Sequence, residues 1–347
     1  MKHLIALLLL TTSATAQTLP GFDRLAVDAP HRPRPLEAAV WYPAASETYT
    51  VPLGANPAFV GTKVQVGPAV QPGPHPLVIL SHGSGGNIEN LGWLAAGLVA
   101  RGAIVAGVNH PGATSGDSSP RQLPRIIDRT QDLQALIATL TTDPAFAPAI
   151  DPAQITALGF SLGGATVLAA GGARFDIQAL AAYCDRYGTD ASECAFMARG
   201  GMDASTVPPV FAAEMTVPGL ARIIAVDPAL THTLVEPTLA NLPPLHLIRM
   251  GTESVSPPPV TSAPLEATLP RAFRGRPSPP SPPPGTFPFL ASAHRRPPPC
   301  CRPRAKTRSA MIPPAPIARW CTSRSSLMSL VPSACNGRPV TGVFAWR

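Results

Sequence analysis

Within the run ITALGFSLGGATVLAAGG, Gly159-Phe160-Ser161-Leu162-Gly163 forms a G-x-S-x-G pattern, with a strand signal before it and a helix signal after. A turn of this kind lifts the serine hydroxyl to the carboxyl edge of a sheet, at the positive end of the following helix, where it can attack an acyl carbon. Side chains at 159 and 163 would collide with neighbouring backbone, which is why both positions read as glycine. A second glycine turn, LSHGSGGN (residues 80–87), follows an earlier strand signal. Its amides are placed to hold the oxyanion of a tetrahedral intermediate: the N–H of Ser84 is expected to supply one half of the hole and that of Leu162 the other. His82 sits inside this turn and precedes the elbow, so it reads as an orienting or packing residue rather than a base.

Alternating strand and helix signals position these turns. AAVWYPA (38–44) reads as an early strand ending at a proline, and residues 45–74 read as loop-like, with Gly and Pro punctuation. PLVILSHG is an apolar strand running into a glycine turn, and NLGWLAAGLVARG is a helix with apolar spacings of three and four and a glycine stop. AIVAGVNH is the next strand, RIIDRTQDLQALIATLTTD a long amphipathic helix, ITALGF the elbow strand and GGATVLAAGG its helix. ARIIAVD and PLHLIRMG are the last strands. Strands this apolar, separated by helices, belong in one mostly parallel sheet covered on both faces, an α/β fold.

The 347 residues, 45% of them apolar, suffice for a large core. MKHLIALLLLTTSATA has a basic start, a short apolar run and an Ala-Thr-Ala end, the layout of a cleaved secretory signal over residues 1–16. The mature chain is then expected to begin near Gln17, with no membrane span, in the periplasm or outside the cell. In that oxidising setting Cys184 and Cys194 can close a disulfide, free buried thiols being the alternative. Cys300, Cys301, Cys321 and Cys335 fit no metal-ligand spacing.

The net charge of +7 is a property of one region. Residues 267–347 hold 13 of the 27 Lys and Arg and none of the 20 Asp and Glu, so residues 1–266 hold 14 basic and 20 acidic residues, a balance of −6. The tail lacks interleaved aromatics and any nucleic-acid module, so no nucleic-acid partner is expected.

VWYP, LSHGSGGN, NHPGATSGDSS, GFSLGG and the cysteine pair together resemble the bacterial α/β-hydrolases of the predicted dienelactone hydrolase family, themselves similar to plasma-type platelet-activating-factor acetylhydrolases. The resemblance covers roughly residues 20 to 270. It implies an α/β-hydrolase fold and hydrolysis of a small-molecule ester or lactone without metal or organic cofactor, by a nucleophile, a carboxylate and a histidine in that chain order. The nucleophile is then Ser161. For the carboxylate, Asp227 ends the strand RIIAVD, where the acetylhydrolase-like relatives carry theirs, and Glu253 ends the next strand, the usual place in dienelactone hydrolases. Asp227 is preferred and expected to lie nearer the serine.

The histidine is the difficulty. After Ser161 the chain has only His232, His246 and His294, and the family's Gly-His-Phe-x-Phe-Leu segment reads GTFPFL here, with Thr286 in the histidine's place. From about residue 272 periodicity is lost, acids vanish, and proline and arginine accumulate. A shift of reading frame near residue 272 accounts for all of this: GGC-ACT-TTC, encoding Gly-Thr-Phe, contains CAC-TTT, His-Phe, one frame away. A genuine disordered basic tail is the alternative. The expected organisation is a signal over 1–16, a hydrolase domain over 17–271 and a tail over 272–347, with no histidine in reach of Ser161. The chain reads as a secreted serine hydrolase, inactive or nearly so as written, or as a non-catalytic binding protein that uses the same cleft.

Overall fold

The structure, a computed structural model, describes residues 19–57, 60–250 and the single residue Leu265. The expected signal over 1–16, the tail over 272–347, Glu253, Thr286 and His294 lie outside the described residues.

In chain order the elements are β1 (Gly21–Val27), β2 (Leu36–Tyr42), β3 (Thr50–Leu53), β4 (Thr62–Val66), β5 (His75–Ser81), α1 (Gly92–Val99), β6 (Ile104–Val108), β7 (Ala113–Thr114), β8 (Asp117–Ser118), α2 (Ile126–Leu140), β9 (Ile150–Phe160), α3 (Leu162–Ala170), α4 (Ile177–Tyr187), α5 (Ser192–Arg199), β10 (Leu220–Val226) and β11 (Leu245–Ile248). Nine strands form one sheet in the order β11-β10-β9-β5-β6-β2-β1-β4-β3. Five pairings are parallel; β2 runs against both β1 and β6, and β3 against β4. This is a mostly parallel α/β sheet with β2 and β3 reversed.

Alternation along the strands explains the layering. Leu77 and Ile79 of β5 point into a core with Ala157, Ile223, Leu133, Leu136 and Leu168, under α2 and α3. Val78 and Leu80 point the other way, into a core with Val105, Leu158, Ala95 and Val99, under α1. Every residue of α3 is buried, which its run of small and apolar side chains permits.

The loop reading of residues 45–74 is corrected by β3 and β4. They pair as an antiparallel hairpin at the sheet's edge, where Pro52 needs no ladder partner on its open side. Four- and five-residue strands amid Gly and Pro present too little alternation to read from sequence. Helices α4 and α5, between the elbow and β10, are joined by the Cys184–Cys194 disulfide, with Cα atoms 5.6 Å apart.

Candidate active site

β9 lies between β5 and β10, with Ser81 in register with Gly159 and Val226 with Phe160. The three strand ends therefore bring the His82 turn, the Ser161 turn and the Asp227 turn to one edge of the sheet. Ser161 has φ 54° and ψ −117°, and Asp227 has φ 44°. Such backbone costs about 1–3 kcal/mol for a residue with a side chain, and it persists only where surrounding structure enforces it. Here the enforcement is steric. A Cβ at Gly159 would overlap the Gly163 carbonyl, one at Gly163 would overlap the Ser81 carbonyl, and one at Gly164 would meet Pro228 Cα at 2.8 Å.

Peptide planarity converts carbonyl contacts into amide directions, because C=O and N–H of one trans peptide point opposite ways. The Ser161 carbonyl accepts Ala165 N–H at 3.1 Å and Ala229 N–H at 3.0 Å, which fixes the direction of the Leu162 N–H. The Gly83 carbonyl accepts His82 Nδ1–H at 2.8 Å and Gly86 N–H at 3.0 Å, which fixes the Ser84 N–H. The glycine turn abuts Ser161: a Cβ built at Gly83 would lie 3.3 Å from Ser161 Cβ. The NHPGATSGDSS loop covers the turn's outer side, with Ser115 Oγ donating to the Gly85 carbonyl at 2.7 Å and Thr114 Oγ1 to that of Gly86 at 2.8 Å.

Asp227 sits beside the elbow, half-buried, its N–H donating to the Ile248 carbonyl at 2.7 Å. Burial pushes its carboxyl pKa up, against the opposing pull of Arg249. His232 is stacked on Tyr183 of α4, centroids 3.6 Å apart, and neither ring nitrogen has a hydrogen-bond partner among the described residues. Burial lowers its pKa, and Glu193 opposes that. His246 is exposed on β11. Among the described residues no imidazole is hydrogen-bonded to the Ser161 hydroxyl or the Asp227 carboxylate. No cluster of His, Cys, Asp and Glu among them could hold a metal ion, and none of their helices is long and apolar enough to cross a membrane.

Sequence reasoning missed a buried polar network beneath the turns. Asp132 of α2 accepts from Arg32 at 2.8 Å on each oxygen, from His31 at 2.7 Å and from His110 Nδ1–H at 2.8 Å. His110 Nε2 then accepts the Ser81 hydroxyl at 3.0 Å. This repeats the atom order of a nucleophile, base and acid, but Ser81 and His110 are wholly buried, out of reach of substrate. Burial alone would raise the Asp132 carboxyl pKa, yet hydrogen bonds from His110 and Arg32 hold it well below the usual range. His110 is lowered to about 4, by burial first and Arg129 second. His82, lowered by burial and then by His110, is neutral, and its Nε2 accepts the His110 N–H at 3.1 Å.

The pH dependence follows. A histidine depressed in the fold refuses a proton that the unfolded chain accepts, so stability is intact above about pH 6.5 and falls toward pH 4. For His110 the loss at pH 5 is about 2 kcal/mol, and His82 adds to it in the same direction. Urea unfolding at pH 7.5 and pH 5 measures it. A midpoint unchanged between the two would contradict neutral, buried imidazoles.

No protein-family model and no curated protein sequence matches the chain. Among solved structures it is similar to a ferulic acid esterase from Streptomyces cinnamoneus, at 19% identity over 72% of this chain and 69% of that one, TM-score 0.42. It is also similar to a puromycin hydrolase (17%, 61% and 22%, TM-score 0.32) and to a hyperthermophilic esterase from the archaeon Pyrobaculum calidifontis (15%, 61% and 47%, TM-score 0.30). The chain thus spans under half the length of those two. At these values the similarities assign neither activity nor substrate.

Proposed function

We propose that the chain is a serine hydrolase of carboxylic esters or lactones, of the dienelactone hydrolase-like or acetylhydrolase-like kind, exported to an oxidising compartment. The observation that carries the reading is Ser161 at φ 54° on a glycine-enforced elbow, between two peptide units whose carbonyls are tied back. Ser161 Oγ attacks the acyl carbon and loses its proton to a base. The amides of Leu162 and Ser84 hold the oxyanion, the leaving oxygen takes the proton, and water then cleaves the acyl-serine. Asp227, on the same edge, orients the base; Glu253 is the alternative carboxylate. The segment where the resemblance expects the histidine carries Thr286, and a reading frame shifted near residue 272 accounts for that. The Cys184–Cys194 bridge supports the proposed export.

A second reading, a non-catalytic binding protein on the same scaffold, is favoured by the absence of an imidazole on Ser161 among the described residues. A fluorophosphonate probe separates the two. The wild-type chain is expected to be labelled at Ser161, slowly, and Ser161→Ala not at all; an unlabelled wild type leaves the binding-protein reading.

A further inference from the structure

Arg129 is a core residue by position. It lies on the apolar stripe Ile126, Arg129, Leu133, Leu136, Leu140 of α2 and is 2% exposed. A guanidinium placed there must be hydrogen-bonded, and its partners are specific. Nε donates to Thr166 Oγ1 at 2.8 Å. Nη2 donates to the His82 carbonyl and, at 3.2 Å, to Ser81 Oγ. Nη1 has no partner among the described residues, so one edge of the guanidinium makes every contact seen. Thr166, itself fully buried on α3, passes the connection on by donating its hydroxyl to the Leu162 carbonyl at 2.9 Å.

The two carbonyls at the ends of this chain of bonds belong to the two turns facing each other across Ser161. The His82 carbonyl shares its peptide with Gly83 N–H, one unit before the Ser84 amide. The Leu162 carbonyl follows directly on the Leu162 amide. We infer that Arg129, through Thr166, is a positioning residue that sets the spacing of the two halves of the oxyanion hole. This rests on the reading of Ser161 as the nucleophile. Arg129 touches no substrate; it acts by holding two backbone segments from different elements in one geometry. A lysine keeps the charge but offers a single nitrogen, which cannot bridge Thr166 and His82 as the planar fork does.

The test measures saturation kinetics of fluorophosphonate labelling at Ser161 in the full chain, separating the reversible binding constant from the rate constant of bond formation. Arg129→Lys and Thr166→Val are expected to lower the rate constant about 10- to 100-fold, the size of effect that displaced oxyanion donors produce. Reversible binding is expected to change less than about twofold, since the oxyanion contact strengthens only as the bond forms. Thr166→Ser, which keeps the hydroxyl, is expected to restore the wild-type rate constant. If Arg129→Lys fails to fold, the nearly isosteric Thr166→Val decides. Wild-type labelling that Arg129→Lys or, in its place, Thr166→Val leaves unchanged, or a loss that Thr166→Ser shares in full, overturns the positioning role while leaving Ser161 the nucleophile. A wild type that is never labelled overturns the nucleophile reading itself.

Discussion

Turnover of a short-chain p-nitrophenyl ester is expected to rise by as much as about 10⁶ when the gene is read one frame away from about codon 272. That is the scale at which a serine triad depends on its histidine, the oxyanion hole and binding alone leaving only a residual rate above water. On the proposed reading the chain as written is expected to show that residual rate, because Thr286 stands where the resemblance implies a histidine. Ser161→Ala in the corrected chain is expected to return it to the level of the uncorrected one. The assay is a side-by-side comparison of the three purified proteins. Equal turnover by the written and corrected chains would show that some histidine already serves Ser161 and that the tail is genuine.

Asp132→Ala is expected to cost about 3–5 kcal/mol of stability, the loss typical when one partner of a buried charged network is removed. Its carboxylate is fully buried and is the common acceptor for Arg32, His31 and His110; its loss strands the buried His110 Nδ1–H and leaves Arg32 only the 3.7 Å pair with Asp128, while His31 keeps the Asp128 carbonyl. Asp132→Asn, which keeps the volume, is expected to recover part of the loss but not the bidentate bond to Arg32. Urea denaturation at pH 7.5 reads both, and a change under about 1 kcal/mol for the alanine variant would show that the network contributes little.

The elbow was legible because its steric demands leave little choice at 159 and 163, and the sheet because buried parallel strands are apolar without interruption. The network was not, because residues 31, 32, 81, 110, 129, 132 and 166 meet only once α2 packs against the ends of β5 and β6. One local sign existed: an arginine on the 3-4-3-4 apolar stripe of α2, a place where an unpartnered charge would be too costly to keep. Helices α4 and α5 are legible only weakly, by Leu180 and Tyr183, which lie one helical step apart on a buried face. The acid and base depended on the stretch where the periodic signals end, and the spacing of residues alone does not choose between Asp227 and Glu253.

The place of β9 in the sheet also governs how the protein folds. Leu77 pairs with Ile155 and Ile155 with Leu220, so the strand that leads into Ser161 needs one partner made long before it and another made long after. Contacts this distant in sequence form slowly, because the intervening chain must be closed before any pairing rewards it. Until Leu220–Val226 docks, β9 has an open edge whose Ile155–Gly159 run is destined for complete burial, the kind of surface that recruits another chain. The strand that ends at Ser161 is therefore the aggregation liability of the half-folded protein, and sealing it falls to the same β10 that delivers Asp227.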